Sequence, residues 1–108
     1  MKEKSLNLAR KLAECIYTCN NCFYACLEEE DVKMMKECIR LDKECAVTCA
    51  TALQTMHEKT CFRQDILEVC EKMCRACAAE CEKFPEDHCQ ECARVCRECA
   101  DACADYMK

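Results

Sequence analysis

Apolar and polar positions follow one another along this chain at steps of three and four, and at most of the recurring apolar positions stands a cysteine. The stretch C-I-Y-T-C-N-N-C-F-Y-A-C places Cys15, Cys19, Cys22 and Cys26 in a C-x3-C-x2-C-x3-C spacing. At about 100° per residue such steps return to one side of a helix. The same spacing recurs at Cys70, Cys74, Cys77 and Cys81, and again at Cys92, Cys96, Cys99 and Cys103. A fourth copy carries Cys38, Cys45 and Cys49, with Asp42 in the slot of the second thiol. Cys89, three before Cys92, lengthens the last stripe, and Cys61 alone stands outside the scheme, about half a turn from Cys70 in helical projection.

Each block is a one-sided thiol stripe three turns long, and the blocks start 23, 32 and 22 residues apart. The pattern predicts helices over residues 5–29, 32–57, 61–83 and 86–106, joined by short turns. E-E-E-D at 28–31 breaks the apolar pattern and offers Asp31 as an N-cap, Thr60 is the matching cap for the third helix, and Phe84-Pro85 puts proline in the first turn of the fourth. The expected fold is all-α, an antiparallel up-down-up-down four-helix bundle with a cysteine-lined core. The chain has no glycine and one proline, and is rich in Ala, Glu, Lys and Arg, all of which favours helix nearly throughout. No composition shift divides its 108 residues, so a single domain over 1–108 is expected.

Composition decides what fills that core. Leu, Ile, Val and Phe number only 17 of 108 residues, too few for a conventional interior. Cysteine, also 17, has to serve as core. A lone buried cysteine is most often a small hydrophobe. Four matching stripes are another matter, because Ala, Val or Leu would pack as well without the risk of oxidation.

Disulfides fit poorly. Helix neighbours at i and i+4 hold their Cβ atoms about 5–6 Å apart, whereas a disulfide wants about 3.5–4.5 Å. The opening M-K-E-K-S-L-N-L-A-R-K-L-A is charged every few residues and lacks the apolar run of an export signal, and no segment is long enough to span a membrane. A cytoplasmic location is therefore expected, where thiols stay reduced and Cys-rich patterns more often serve metal or redox work. Net charge is −5, with acidic and basic residues interspersed and no basic face, so nucleic acid is not an expected partner.

Thiolates select soft ions: Cu(I), Zn(II) or the iron of Fe–S clusters. Zinc and Fe–S sites gather four cysteines into closed, separate sets, whereas these thiols form unbroken rows. A zinc ion bound by four thiolates carries −2, so several along one buried axis repel one another. Cu(I) with bridging thiolates, at about one copper per cysteine, leaves the core near neutral. Two metal–sulfur bonds of about 2.3 Å also span a gap comparable to that between thiols on successive turns.

The repeated C-x3-C-x2-C-x3-C blocks and a last helix opening D-H-C-Q-E-C resemble the copper storage proteins over essentially the whole chain. The resemblance implies a cytosolic, non-enzymatic store of multiple Cu(I) ions that keeps copper from mis-metallating other proteins. It also implies a homo-oligomer, commonly a tetramer, and makes a copper chaperone a candidate partner. The implied ligands are the sixteen stripe cysteines from Cys15 to Cys103, with His88 at the entrance; Cys61 joins the candidate set if the first turn of its helix is irregular. Antiparallel pairing gathers Cys26, Met34, Met35, Cys81, His88 and Cys89 at one end, a mouth for copper. The opposite end collects Leu8, Leu12, Leu53, Phe62, Ile66 and Met107 as an apolar plug, with Met56 and His57 nearby as structural or exposed residues.

Each accessory residue has a plainer reading as well: His88 as a solvated surface histidine, Met34 and Met35 as end packing. Asp42, a hard and poor partner for Cu(I), is expected to accept hydrogen bonds from neighbouring S–H groups or to line a polar gap, with an occasional ligand role as the lesser alternative. Leu6, Ala13, Tyr17 and Tyr24 lie opposite the helix 1 thiols and suggest a self-association face. Three other functions stay open at this stage: a zinc or cadmium thiolate store, a thiol redox sensor or enzyme, and a plain helical interaction module. Hydrolytic catalysis has no support, because no nucleophile–base set or acid/base carboxylate pair is present.

Overall fold

Four α-helices carry the chain back and forth: α1 (Lys2–Leu27), α2 (Lys36–Thr55), α3 (Arg63–Cys81) and α4 (Asp87–Met107). The computed structural model describes residues 2–57 and 61–108. Each helix packs against its neighbours in sequence, and α4 returns to α1 to close the ring, while the diagonal pairs stay apart across the axis. The result is the antiparallel up-down-up-down bundle, 45 × 20 × 17 Å. Among the described residues there is no strand.

The seams that face the axis alternate steps of three and four. On α1 the seam runs Leu8, Leu12, Cys15, Cys19, Cys22, Cys26, every one fully buried. On α2 it runs Met35, Cys38, Asp42, Cys45, Cys49, Ala52, again fully buried. Alternating three and four averages about 3.5 residues per turn, the period that keeps one seam facing its partners along a bundle. α3 and α4 repeat it with Leu67, Cys70, Cys74, Cys77, Cys81 and with Cys89, Cys92, Cys96, Cys99, Cys103. Small residues beside the seams, Ala78, Ala93 and Ala100 among them, let the backbones approach closely enough for short thiol side chains to meet.

The plug end is narrower than the sequence suggests. Leu8, Leu12 and Leu67 are buried there, each worth about 1.5–3 kcal/mol. Leu53, Ile66, Met56 and Met107 pack against them half-buried. Phe62 does not join them; it is 61% exposed in the turn before α3. His57 is exposed.

Two expectations about helix ends are corrected. Asp31 makes no side-chain cap; its carbonyl instead accepts from the Met34 N–H at 2.8 Å and starts a 3-10 turn, Val32–Met35, that leads into α2. Pro85 lies outside α4, because Glu86 holds the N-cap position with an extended backbone (φ −59°, ψ 141°) and the helix begins at Asp87. The Gln90 side chain ties the α3–α4 turn instead, donating to the Phe84 carbonyl at 2.6 Å. The cap assigned to Thr60 lies outside the described residues. Ion pairs stitch the outside, such as Lys11 to Glu98 at 3.0 Å between α1 and α4, and the Arg97 fork on Glu82 at 2.6 and 2.7 Å. Exposed pairs of this kind contribute about 0–1 kcal/mol each, so the seams decide the fold.

Candidate metal centre

All sixteen stripe cysteines have zero exposed surface and are unbonded thiols. Their sulfurs form a continuous column down the bundle axis. From the α3–α4 turn inward, Cys89 lies 3.8 Å from Cys26, and Cys26 lies 3.8 Å from Cys22. In mid-bundle Cys92 lies 3.9 Å from Cys19 and from Cys96, and Cys96 reaches Cys19 at 3.6 Å and Cys15 at 3.8 Å. Cys15 continues to Cys45 at 3.9 Å, Cys45 to Cys74 at 3.7 Å, Cys74 to Cys49 at 3.7 Å, and Cys49 to Cys70 at 3.8 Å. These gaps are far longer than a disulfide's ~2.05 Å. They suit a shared metal: two bonds of about 2.3 Å meeting at about 120° hold their sulfurs about 4.0 Å apart.

Five sets of four groups come close enough to surround one ion, and four of the five are purely thiol. Several cysteines belong to two sets at once: Cys15 to those with Cys49 and with Cys45, Cys22 to those with Cys26 and with Asp42. Overlap of this kind is what bridging thiolates require. Closed, independent sites would not share ligands.

Asp42 occupies the axis among the thiols and has no exposed surface. Its Oδ1 accepts from the Cys77 and Cys92 S–H groups at 3.3 Å each and from Cys81 at 3.5 Å, and Cys38 lies 3.9 Å from Oδ2. Of the roles expected for this residue, the packing provides the acceptor role, and it also sets Asp42 in one four-group set with Cys22, Cys81 and Cys92. Burial, and then the neighbouring Cys92 sulfur, push its carboxyl up to about 9, so it is neutral at pH 7. A neutral carboxyl removes the cost of a lone anion in the core.

The thiols respond to the same enclosure. Burial first, then the nearby Cys38, pushes the Cys89 thiol up to about 12. Within the column, the hydrogen bond between Cys15 and Cys19 shifts Cys15 down and Cys19 up, while desolvation raises both. Desolvation thus opposes ionisation along the column, while the shared hydrogen bonds push some thiols, such as Cys15 and Cys92, down and others, such as Cys19, up.

His88 is not a solvated surface residue. Its side chain is 15% exposed, and Nδ1 lies 3.6 Å from the sulfurs of Cys22 and Cys89 and 3.9 Å from Cys26. On the other side of the ring, Nε2 lies 2.8 Å from a Glu29 carboxylate oxygen. Glu29 was not among the expected site residues. The signal for it was present in the acidic run at 28–31, because antiparallel pairing sets the end of α1 against the start of α4.

Met35 is fully buried at the start of the α2 seam, whereas Met34 is 75% exposed and turned from the column. Cys61 is exposed in the turn before α3 and stands apart from the other sixteen thiols. Tyr17 and Tyr24 lie on the outer face of α1 at 73% and 66% exposure, with Leu6 also exposed.

Known proteins share this arrangement. The family model described as copper storage protein matches residues 1–108. The uncharacterized cysteine-rich protein YhjQ of Bacillus subtilis is 44% identical over 76 residues, which is 70% of each chain. The Bacillus subtilis copper storage protein BsCsp3, solved with Cu(I) bound, superposes with a TM-score of 0.91 at 39% identity, covering 97% of this chain and 99% of its own. A cytosolic copper storage protein from Streptomyces lividans, solved with five coppers, gives a TM-score of 0.94 at 30% identity, covering 97% of this chain and 92% of its own.

Proposed function

This chain belongs to the copper storage protein family, and from that premise we propose that it stores Cu(I) inside the bundle, on thiolates supplied by all four helices. The observation that carries the reading is the column of buried sulfurs, with neighbours at 3.3–4.0 Å and successive four-group sets, whose ligand atoms lie within 4.8 Å of one another, that overlap along the axis. Copper entering this column replaces thiol protons. Each Cu(I) brings one positive charge to one thiolate, so the core stays near neutral however many ions it holds.

The assigned ligands are the sixteen stripe cysteines, with His88 beside the first of them at the mouth. Cys61 falls outside the ligand set on account of its exposure. Met35 packs the mouth. The protein acts as a store with no catalytic step of its own, in one domain of four helices. A cytosolic location follows from the family branch to which the Streptomyces lividans relative belongs; among the described residues no helix is long and apolar enough to cross a membrane. The outer face of α1, with Leu6, Tyr17 and Tyr24, is the natural surface for homo-oligomer formation, and a copper chaperone is the natural donor at the mouth.

A zinc store is the second reading. It is favoured by three of the four-thiol sets that share no ligand: Cys15, Cys49, Cys74, Cys99; Cys19, Cys77, Cys92, Cys96; and Cys22, Cys26, Cys38, Cys89. Three such sites would bury −6 along one axis, which weighs against it.

Anaerobic titration of the reduced protein against a competing Cu(I) chelator decides between them. Storage predicts tight uptake of roughly one copper per core thiol. Saturation at three or four zinc ions per chain, with copper bound no more tightly, would overturn it.

A further inference from the structure

The pair at the mouth, His88 and Glu29, has a geometry that the ligand assignment alone does not use. The Nε2–Oε2 distance is 2.8 Å, and an ionised carboxylate can only accept, so in the neutral ring this contact places the proton on Nε2. Nδ1 is then a bare lone pair, and it faces the Cys22, Cys26 and Cys89 sulfurs at 3.6–3.9 Å. Glu29 sits in the turn that ends α1, where its backbone N–H donates to the Cys26 carbonyl at 3.1 Å. The turn that terminates the first thiol stripe therefore also sets the carboxylate against α4. Both side chains are partly enclosed, 15% exposed for His88 and 34% for Glu29, so the contact is shielded from full competition by water.

We propose that Glu29 is a positioning residue for copper admission: its carboxylate fixes the ring orientation and tautomer of His88 so that Nδ1 is held ready to receive Cu(I) and pass it to Cys22, Cys26 and Cys89. A carboxylate behind a metal-binding imidazole orients the ring and raises its basicity, and losing such a partner typically costs about 10–100-fold in metal affinity or activity. Here the cost falls on the rate of loading. Capacity is set by the thiols deeper in the column, which Glu29 does not touch. The proposal rests on the storage reading above.

The test uses the full-length reduced protein and the Cu(I)–bicinchoninate complex as donor, following copper transfer by the loss of the complex's absorbance. Glu29→Ala is expected to slow transfer about tenfold or more with final capacity unchanged. Glu29→Gln, whose amide oxygen still accepts from Nε2–H, recovers most of the rate. In a His88→Ala background, Glu29→Ala adds nothing. Long-range 1H–15N spectra of the apo protein give a copper-free readout: a single Nε2–H tautomer in the wild type and an averaged ring in Glu29→Ala.

A wild-type ring protonated at Nδ1 overturns the proposal, and so does equal transfer by Glu29→Ala and wild type. Glu29→Gln as slow as Glu29→Ala also overturns it, because the carboxylate would then act only as a charge that attracts the cation. If no variant and no wild type takes up Cu(I), the storage reading itself fails, which is a separate outcome from any of these.

Discussion

Asp42 Oδ1 lies 3.3 Å from the Cys92 sulfur, so a carboxyl group stands in the sulfur column where the repeat has a thiol on every other helix. Its pKa is raised from 3.8 to about 9, by burial first and the neighbouring Cys92 sulfur second. Between those values the folded chain holds a proton that the unfolded chain has lost. Stability from this group is therefore fully present below about pH 4 and is lost as pH rises towards about 9, at a slope of up to about 1.4 kcal/mol per unit. Urea unfolding of the apo protein from pH 5 to 9 should show the wild type weakening with rising pH relative to Asp42→Asn, whose amide cannot ionise. Parallel profiles would mean the carboxyl is already charged in the core.

Metal loading should acidify the solution. Burial pushes the Cys89 thiol up to about 12, and any thiol that still holds its proton must give it up to bind a soft cation. Adding Cu(I) to the reduced protein in weak buffer is expected to release about one proton per thiol engaged. Release well below that, measured with a pH indicator, would show that a large share of the column is already thiolate before metal arrives.

The stripes were legible because four blocks repeat one spacing, and a helix turns that spacing into one face. Comparison of the blocks also exposed Asp42 as a missing thiol and Cys61 as a stray one. Glu29 was not legible in the same way. Its run E-E-E-D reads as a solvated turn until the start of α4 is laid beside it, and only then does one of four acidic residues meet the His88 ring at 2.8 Å. The Asp31 cap failed for a local reason: the chain enters α2 through the 3-10 turn Val32–Met35, stabilised by a backbone bond, so Asp31 stands a turn ahead of the α2 N-terminus it was expected to cap. Phe62 shows the limit of matching ends by sequence alone. It lies at the plugged end, yet its side chain is mostly in solvent.

Capacity should follow the column and nothing else. Cys61→Ser removes an exposed thiol that is in none of the four-group sets, and is expected to leave the Cu(I) stoichiometry unchanged. Asp42→Cys restores the repeat at a site within reach of Cys77, Cys81 and Cys92, and is expected to raise uptake by about one copper per chain. Chelator-competed titration with metal analysis of the washed protein reads both. A loss of copper in Cys61→Ser would bring the turn before α3 into the ligand set.

The two ends of the seam divide their work, and a single substitution can separate them. Leu12 continues the α1 stripe towards the plug and is fully buried, one turn below Cys15. Leu12→Ala leaves a cavity among apolar side chains and should cost about 2–5 kcal/mol of apo stability, the usual range for a buried leucine. It removes no sulfur, so the capacity of protein that remains folded should be that of the wild type. Copper itself should then mask the defect. A ligand that binds only the folded state stabilises it by about 4 kcal/mol at a thousandfold excess over Kd, and each kcal/mol moves the melting temperature of a domain this size by several degrees. Many ions cross-linking four helices should exceed that, so loaded wild type and loaded Leu12→Ala should both melt more than 20 °C above their apo forms, a bound taken from the same arithmetic. Thermal unfolding followed by helical circular dichroism, with and without Cu(I), measures this directly, and an unchanged melting temperature on loading would place the bound copper outside the core stripes.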